Sequence, residues 1–292
     1  MARGGLSATR ATEIIDYLAS RGTTAFTLSE LARELDINVA SCHAILQGLT
    51  KTGHLSRHPK HKTYILGPAL IAIGNVALKN HELVARAEAA AAELSRNEGV
   101  EVLLSMRAGD TVLGLAHFQL DRISKSLLRA GQRLPLQVPY GATFVAWEAE
   151  SEIDRWISRG FSSKVEPKRA AELRALLALI RQRGFQVSLT LDDHIDLAAM
   201  SASWEPAVHV RSAAKKFEHI HDAFDRLFFD PVEANGNETH AVEFITAPLF
   251  DPHNRALYAI TLYNFDRRLT AKRIQSFLAK LVSMCRAIGK DF

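Results

Sequence analysis

The chain opens on helical periodicity. Ile14, Ile15 and Leu18 share one face of a stretch from about Ala8 to Ser20, at the spacing of an amphipathic helix. In TLSELARELDINVASCHAILQGL the pattern recurs as Leu28, Leu31, Ala32 and Leu35. It recurs again, after a break at Asp-Ile-Asn, as Val39, Cys42, Ile45, Leu46 and Leu49. Two short helices with so tight a joint must cross, and the first turn of the second projects outward. Thr27 and Glu30 stand at the spacing of a reciprocal capping box, and Asn38 is placed to cap the second helix. Gly53 suits a helix end. Beyond it, HLSRHPKHKTYIL reads as two short strands around Pro59-Lys60-His61. Three helices and a basic hairpin predict a winged helix-turn-helix, whose second tight helix enters the major groove of DNA.

After the wing, LGPALIAIGNVALKN predicts a turn at Gly67-Pro68 and an apolar helix from about Ala69 to Lys79. That helix has too few polar residues to run free in solvent, so a dimer contact is expected along Leu70, Ile73 and Val76 or Ala77. A second helix follows from Glu82 to Ser95. VEVLLSMRAGDTVLGLAHF then gives two β-rich runs around Ala-Gly-Asp, an antiparallel hairpin, with a further strand expected over Ser126–Arg129. Helices are predicted from Ala142 to Ala149, from Ser151 to Arg159 and from Pro167 to Arg183, the last opened by proline and closed by Gly184. Phe185 to Leu191 returns to strand character. VEFITAPLF and ALYAITLYNF form a second hairpin around Asp251-Pro252-His253-Asn254, and a last helix begins near Thr270. Antiparallel strands with interspersed helices make an α+β domain of about two hundred residues.

At 292 residues the chain is long enough for two domains. The expected division is a DNA-binding domain over 1–68, a linker helix over 69–81 and an α+β domain over 82–292. Charge sharpens this division. Residues 1–80 hold nine Lys/Arg against five Asp/Glu, whereas 81–292 hold 27 of each, so the net charge of +4 belongs wholly to the N-terminal segment. From Ile37 to His81 there is no acidic residue, while Lys51, Arg57, Lys60, Lys62, Lys79 and five histidines fall within that run. A surface cleared of negative charge is what phosphate contact requires. On this reading Asn38, Ala40, Ser41, His43 and Gln47 face base edges, and Thr27, Ser29, Lys51, Arg57, Lys60, His61 and Lys62 hold phosphates.

Other chemistry finds little support. No G-x-S-x-G, Walker loop or G-x-G-x-x-G occurs, so neither an enzyme nor a cofactor is expected. Asp192-Asp193-His194 and Glu218-His219-Ile220-His221-Asp222 are the best candidates for a metal-sensing site, with a solvated helix face as the simpler reading. An enzyme or metal-sensing domain carrying a DNA-binding appendage is the alternative class. Two cysteines make no disulfide framework. Cys285 is read as core, and Cys42 as packing rather than an oxidant sensor. No apolar run is long enough to span a membrane and no signal-peptide pattern is present, so the cytoplasm is expected.

Several short motifs in order make the chain resemble the IclR family of bacterial transcriptional regulators. They are TLSELAREL with the histidine of ASCHAIL, YILGPALIAIG, RAGDTVLGL, GQRLPL followed by YGATFVAW, LIRQRGFQV, and ITAPLF before AITLYNF. The resemblance implies an N-terminal winged helix-turn-helix, a linker helix and a C-terminal GAF-like antiparallel sheet flanked by helices. It implies a regulator, expected to repress, that binds a palindromic operator as a dimer or tetramer and answers to a small-molecule effector. Its effector pocket maps onto Tyr140, Gly141, Ala142, Phe244, Thr261 and Tyr263. Family members that bind small acids often carry cysteine at the position of Phe244 and serine at that of Tyr263, so the bulk here predicts an apolar or aromatic effector. No carboxylate clamp stands among these positions, and Arg107 and Arg129 are the candidates to reach a ligand from outside them. Two departures stand out. Val39 and Ala44 replace a lysine and an arginine common on the family's recognition helix, and roughly fifty residues from Thr190 to His240 replace a short connection. Within them, apolar positions from about Pro206 to Phe229 recur at amphipathic spacing.

Overall fold

A computed structural model describes residues 6–119, 128–161, 164–190, 229, 231, 238–265 and 268–290. The chain divides into two compact units, Met1–Ala85 and Arg86–Phe292.

The first unit runs α1 (Leu6–Ser20), β1 (Phe26–Thr27), α2 (Leu28–Glu34), α3 (Val39–Lys51), β2 (Leu55–Arg57), β3 (Thr63–Leu66) and α4 (Ala69–Asn80). Ile14, Leu31, Cys42, Leu46 and Leu55 are buried together in its core. The strands make a small antiparallel sheet in the order β1-β3-β2. The capping box forms as the sequence predicts: the Glu30 N–H donates to Thr27 Oγ1 at 3.3 Å, and the Thr27 N–H donates to Glu30 Oε2 at 2.7 Å. That backbone N–H, helped by the Thr27 hydroxyl, holds the Glu30 carboxyl below the usual range. Gly67 closes the wing against the end of α3. A Cβ there would lie 2.2 Å from the Gly53 carbonyl oxygen, so only glycine fits.

The second unit begins within α5 (Glu82–Glu98). It continues through β4 (Glu101–Ala108), β5 (Thr111–Phe118), β6 (Arg133–Pro135), α6 (Ala142–Val145), α7 (Glu150–Arg159), α8 (Pro167–Arg183) and β7 (Gln186–Leu189). After β8 (Thr239–His240) come β9 (Val242–Phe250), β10 (Ala256–Tyr263), β11 (Leu269–Thr270) and α9 (Ala271–Lys290). Six strands pair antiparallel in the order β6-β5-β4-β10-β9-β7, so the two predicted hairpins meet through β4 and β10 at the sheet centre. Trp156, Leu173, Leu177 and Ile180 of α7 and α8 pack with Leu103, Ala259 and Tyr263 of the sheet in one apolar cluster.

Two sequence expectations change here. The helix expected to run to Ala149 stops at Val145, because the Arg181 guanidinium takes the Ala146 and Glu148 carbonyls that a continuing helix would use internally. Leu128 and Arg129, the described part of an expected strand, are not in one, although Leu128 is buried. Both metal candidates and the amphipathic stretch from Pro206 lie outside the described residues, apart from its last residue, Phe229. The Phe229 N–H donates to the Val187 carbonyl at 2.9 Å. Among the described residues no helix is long and apolar enough to cross a membrane.

Candidate nucleic-acid interface and ligand cavity

In the first unit, Asn38 starts α3: its Oδ1 accepts the N–H groups of Ala40 at 2.9 Å and Ser41 at 3.4 Å. Cys42 and Leu46 face the core, which leaves Ala40, His43 and Gln47 exposed on the opposite side and Ser41 half-buried. Val39, counted in the apolar stripe of the sequence, is 55% exposed. It sits in the first turn, beyond the reach of the core.

The wing gathers most of the cations. Arg57, Lys60, His61 and Lys62 are exposed there, as are Lys51 at the end of α3 and Ser29 on α2. Thr27 is half-buried, and its hydroxyl is already donated to Glu30 Oε2 at 2.8 Å, which leaves that proton unavailable to a phosphate. His58 went unnoticed in the sequence. Its Nδ1 accepts the N–H groups of Lys60 at 3.3 Å and His61 at 3.1 Å, and its ring lies 4.6 Å from that of His61. The histidine before Pro59 therefore shapes the turn that carries the charges.

Beyond the wing, α4 has no buried residue. Ile71 is 67%, Ile73 51% and Val76 60% exposed. Where such groups adjoin, as Ile73 and Val76 do one turn apart, they form the kind of apolar patch that interaction surfaces use. Ile71, the most exposed of them, was not in the expected seam.

In the second unit a cavity of about 80 Å³ lies over the sheet. Strand alternation supplies its floor, with Leu103 and Ser105 from β4, Phe244 and Thr246 from β9, and Thr261 and Tyr263 from β10. Tyr140 and Gly141 border it, so five of the six residues mapped for an effector meet at one place, while Ala142 is buried outside the lining. Gly141 has φ +78°, and a Cβ there would lie 2.3 Å from Leu136 Cδ1, so its place on the rim is reserved for glycine.

Phe244 and Tyr263 stand opposite each other in the strand register, with ring centroids 6.0 Å apart. Thr261 Oγ1 donates to Thr246 Oγ1 at 2.9 Å, and Thr143 Oγ1 to Gln186 Oε1 at 3.2 Å. Among the described residues no charged side chain lines this cavity. Arg107 is bound elsewhere, ion-paired with Glu148 and, at 3.1 Å, with Glu152; Arg129 is exposed. Burial raises the Tyr140 hydroxyl well above its ordinary value, so it stays protonated.

A wider concavity of about 430 Å³ opens where α8 ends, bordered by Trp147, Arg181, Arg183, Pro248, Cys285 and Arg286. Nothing in the sequence reading pointed there. Burial pushes the Cys285 thiol up to about 12 and raises that of Cys42, so both are held as unreactive thiols at neutral pH.

Comparison with known proteins gives these sites a context. Residues 7–59 match the IclR helix-turn-helix domain, and residues 75–195 match the bacterial transcriptional regulator IclR C-terminal domain. The chain is 30% identical over 192 residues to the glycerol operon regulatory protein of Streptomyces griseus, covering 65% of this chain and 75% of that one. An IclR transcriptional regulator from Alicyclobacillus acidocaldarius aligns over 97% of both chains with a TM-score of 0.70 and 19% identity. An IclR homolog from Microbacterium hydrocarbonoxydans, complexed with 4-hydroxybenzoate, aligns over 98% of both chains with a TM-score of 0.64 and 14% identity. These two structural likenesses show the fold.

Proposed function

The chain belongs to the IclR family of bacterial DNA-binding transcriptional regulators, and from that membership we propose that it represses transcription from a palindromic operator until a small effector binds. The observation that carries the reading is the face formed by α3 and the wing. It is exposed, free of acidic residues from Ile37 onward, and edged by Lys51, Arg57, Lys60 and Lys62. Residues 1–68 read DNA, 69–81 join two copies and 82–292 bind the effector. Ile71, Ile73 and Val76 support the middle role, because a helix with no buried residue of its own gains stability by packing on a second copy. The assembly is a dimer or a pair of dimers, with half-sites about one helical turn apart.

The effector is apolar or aromatic, supported by the Phe244 and Tyr263 rings and by polar groups that are neutral hydroxyls and an amide. At about 80 Å³ the cavity is smaller than the roughly 150 Å³ that holds benzene. A single-ring ligand therefore enters as the Phe244 ring turns aside. Among the described residues the lining offers hydroxyls and an amide, groups that orient a neutral ligand by hydrogen bonds.

The test is a gel-shift with genomic fragments flanking the protein's own gene, followed by addition of neutral single-ring compounds. Specific retention released by one of them is the expected result. Retention equal to that of random fragments refutes the regulator, and release by glyoxylate or pyruvate refutes the effector class.

A further inference from the structure

Side chains in the major groove meet base edges by chemistry. Arg and Lys pair with guanine O6 and N7, Asp and Glu accept from cytosine N4, Asn and Gln pair with adenine, and apolar groups pack on the thymine C5-methyl. From Asn38 to Thr50 the recognition helix carries neither a cation nor a carboxylate. It thus lacks the partners that most strongly select G·C pairs. Its exposed face offers instead three apolar groups, Val39, Ala40 and Ala44, beside Gln47. Ala40 and Ala44 are one turn apart on the same stripe, and Val39, His43 and Gln47 follow the neighbouring one. Val39 shares the stripe of Cys42 and Leu46 but lies in the first turn, past the end of the core, and is exposed there.

We infer that each operator half-site has an A·T-rich core, with thymine methyls packed on Val39, Ala40 and Ala44 and an adenine read by Gln47. The inference rests on the DNA-binding reading above and specifies its sequence class. Ser41 and His43 can donate or accept, so they discriminate less. Lys51 and the wing cations bind phosphate, which adds affinity without sequence information. The division of labour is unusually sharp: the face that reads bases is neutral, and the charge stands around it.

The experiment selects bound duplexes from a randomised pool with the full chain, then replaces thymine by uracil in the core of the selected site. Uracil lacks only the C5-methyl. Symmetric A·T-rich half-sites are expected. Each packed methyl that is removed should weaken binding about three- to fourfold, the factor for one buried methylene-sized group. Val39→Ala should narrow the thymine-to-uracil ratio; Val39 is exposed, so its melting temperature should match the wild type and separate this from misfolding. Half-sites rich in G·C, or a uracil duplex bound as tightly as the thymine one, overturn the inference and leave the regulator standing. Selection that returns no preferred sequence overturns both.

Discussion

Asn38 Oδ1 accepts the Ala40 N–H at 2.9 Å, so one residue both begins the recognition helix and stands at the edge of its exposed side. Asn38→Ala should lose the cap, costing about 1 kcal/mol of stability, and should also weaken binding to the selected operator. Asn38→Asp separates the two effects. It keeps an acceptor for the cap but brings a negative charge toward phosphate, so melting should be preserved while DNA affinity falls. An aspartate variant that binds as well as the wild type would place Asn38 away from the DNA.

Lys62 stands on the exposed turn of the wing. Lys62→Ala should weaken specific and random duplexes by the same factor and flatten the salt dependence of binding by about one unit, the signature of one lost phosphate contact. Anisotropy titrations across a range of salt measure both. A loss confined to the selected operator would mean that Lys62 reads bases.

Along α4, Ile73→Glu with Val76→Glu puts charge on a face that is already exposed, so the isolated unit should still fold. Sedimentation at micromolar concentration should show a monomer. Operator affinity should drop at least about a hundredfold, the lower end of what joining two sites contributes. A double variant that remains dimeric would move the seam to another surface.

Phe244→Ala removes one of the two rings that narrow the cavity. The ring is only partly buried, so the stability loss should stay below the roughly 3 to 5 kcal/mol of a fully buried one. Binding of phenol-sized compounds, followed by calorimetry, should strengthen because no ring need turn aside. Unchanged affinity would place the effector elsewhere, and the concavity beside Trp147 and Arg286 is the next place to look.

Asp251 sets the hairpin between β9 and β10. Burial opposes its ionisation, but the Arg255 side chain at 2.8 Å, the Arg255 N–H at 2.8 Å and the His253 N–H at 3.0 Å outweigh it and hold the carboxyl below its ordinary value. A depressed carboxyl adds stability above its unfolded value, near pH 4, and loses it as pH falls through the folded value. Asp251→Asn should therefore cost about 1.5 to 3 kcal/mol at pH 7, and the gap to wild type should close as pH falls below the ordinary carboxyl range. Denaturant melts against pH show this directly.

Much of the architecture is written locally. Pro167 and Gly184 bound α8, Thr27 and Glu30 cap α2, and β-rich runs around short turn sequences delimit both hairpins of the large sheet. What escapes the sequence depends on partners far along the chain. Arg181 ends α6 from 35 residues away, and Arg107, considered for a ligand, is taken by Glu148 and Glu152, 41 and 45 residues on. Phe26 and Thr27 form a strand only because Tyr64 and Thr63 pair with them. Val39 fits the apolar spacing of α3 and still faces water, because periodicity assigns a side without saying where the core stops. Five of the lining positions were legible only through the family resemblance, and no local signal in Thr246 or Gln186 announced a pocket.

Gly67 allows the backbone on either side of it to press against the end of α3: its N–H reaches the His54 carbonyl at 2.7 Å, and the Ala69 N–H reaches that of Gly53 at 3.1 Å. The first turn of α4 is thereby bolted to the DNA-reading head and shares its orientation. At the other end, His81 breaks the helical path with φ −122° and ψ 70°. The recognition helix and the first turn of α4 are fixed to each other by backbone hydrogen bonds, so neither changes direction without the other.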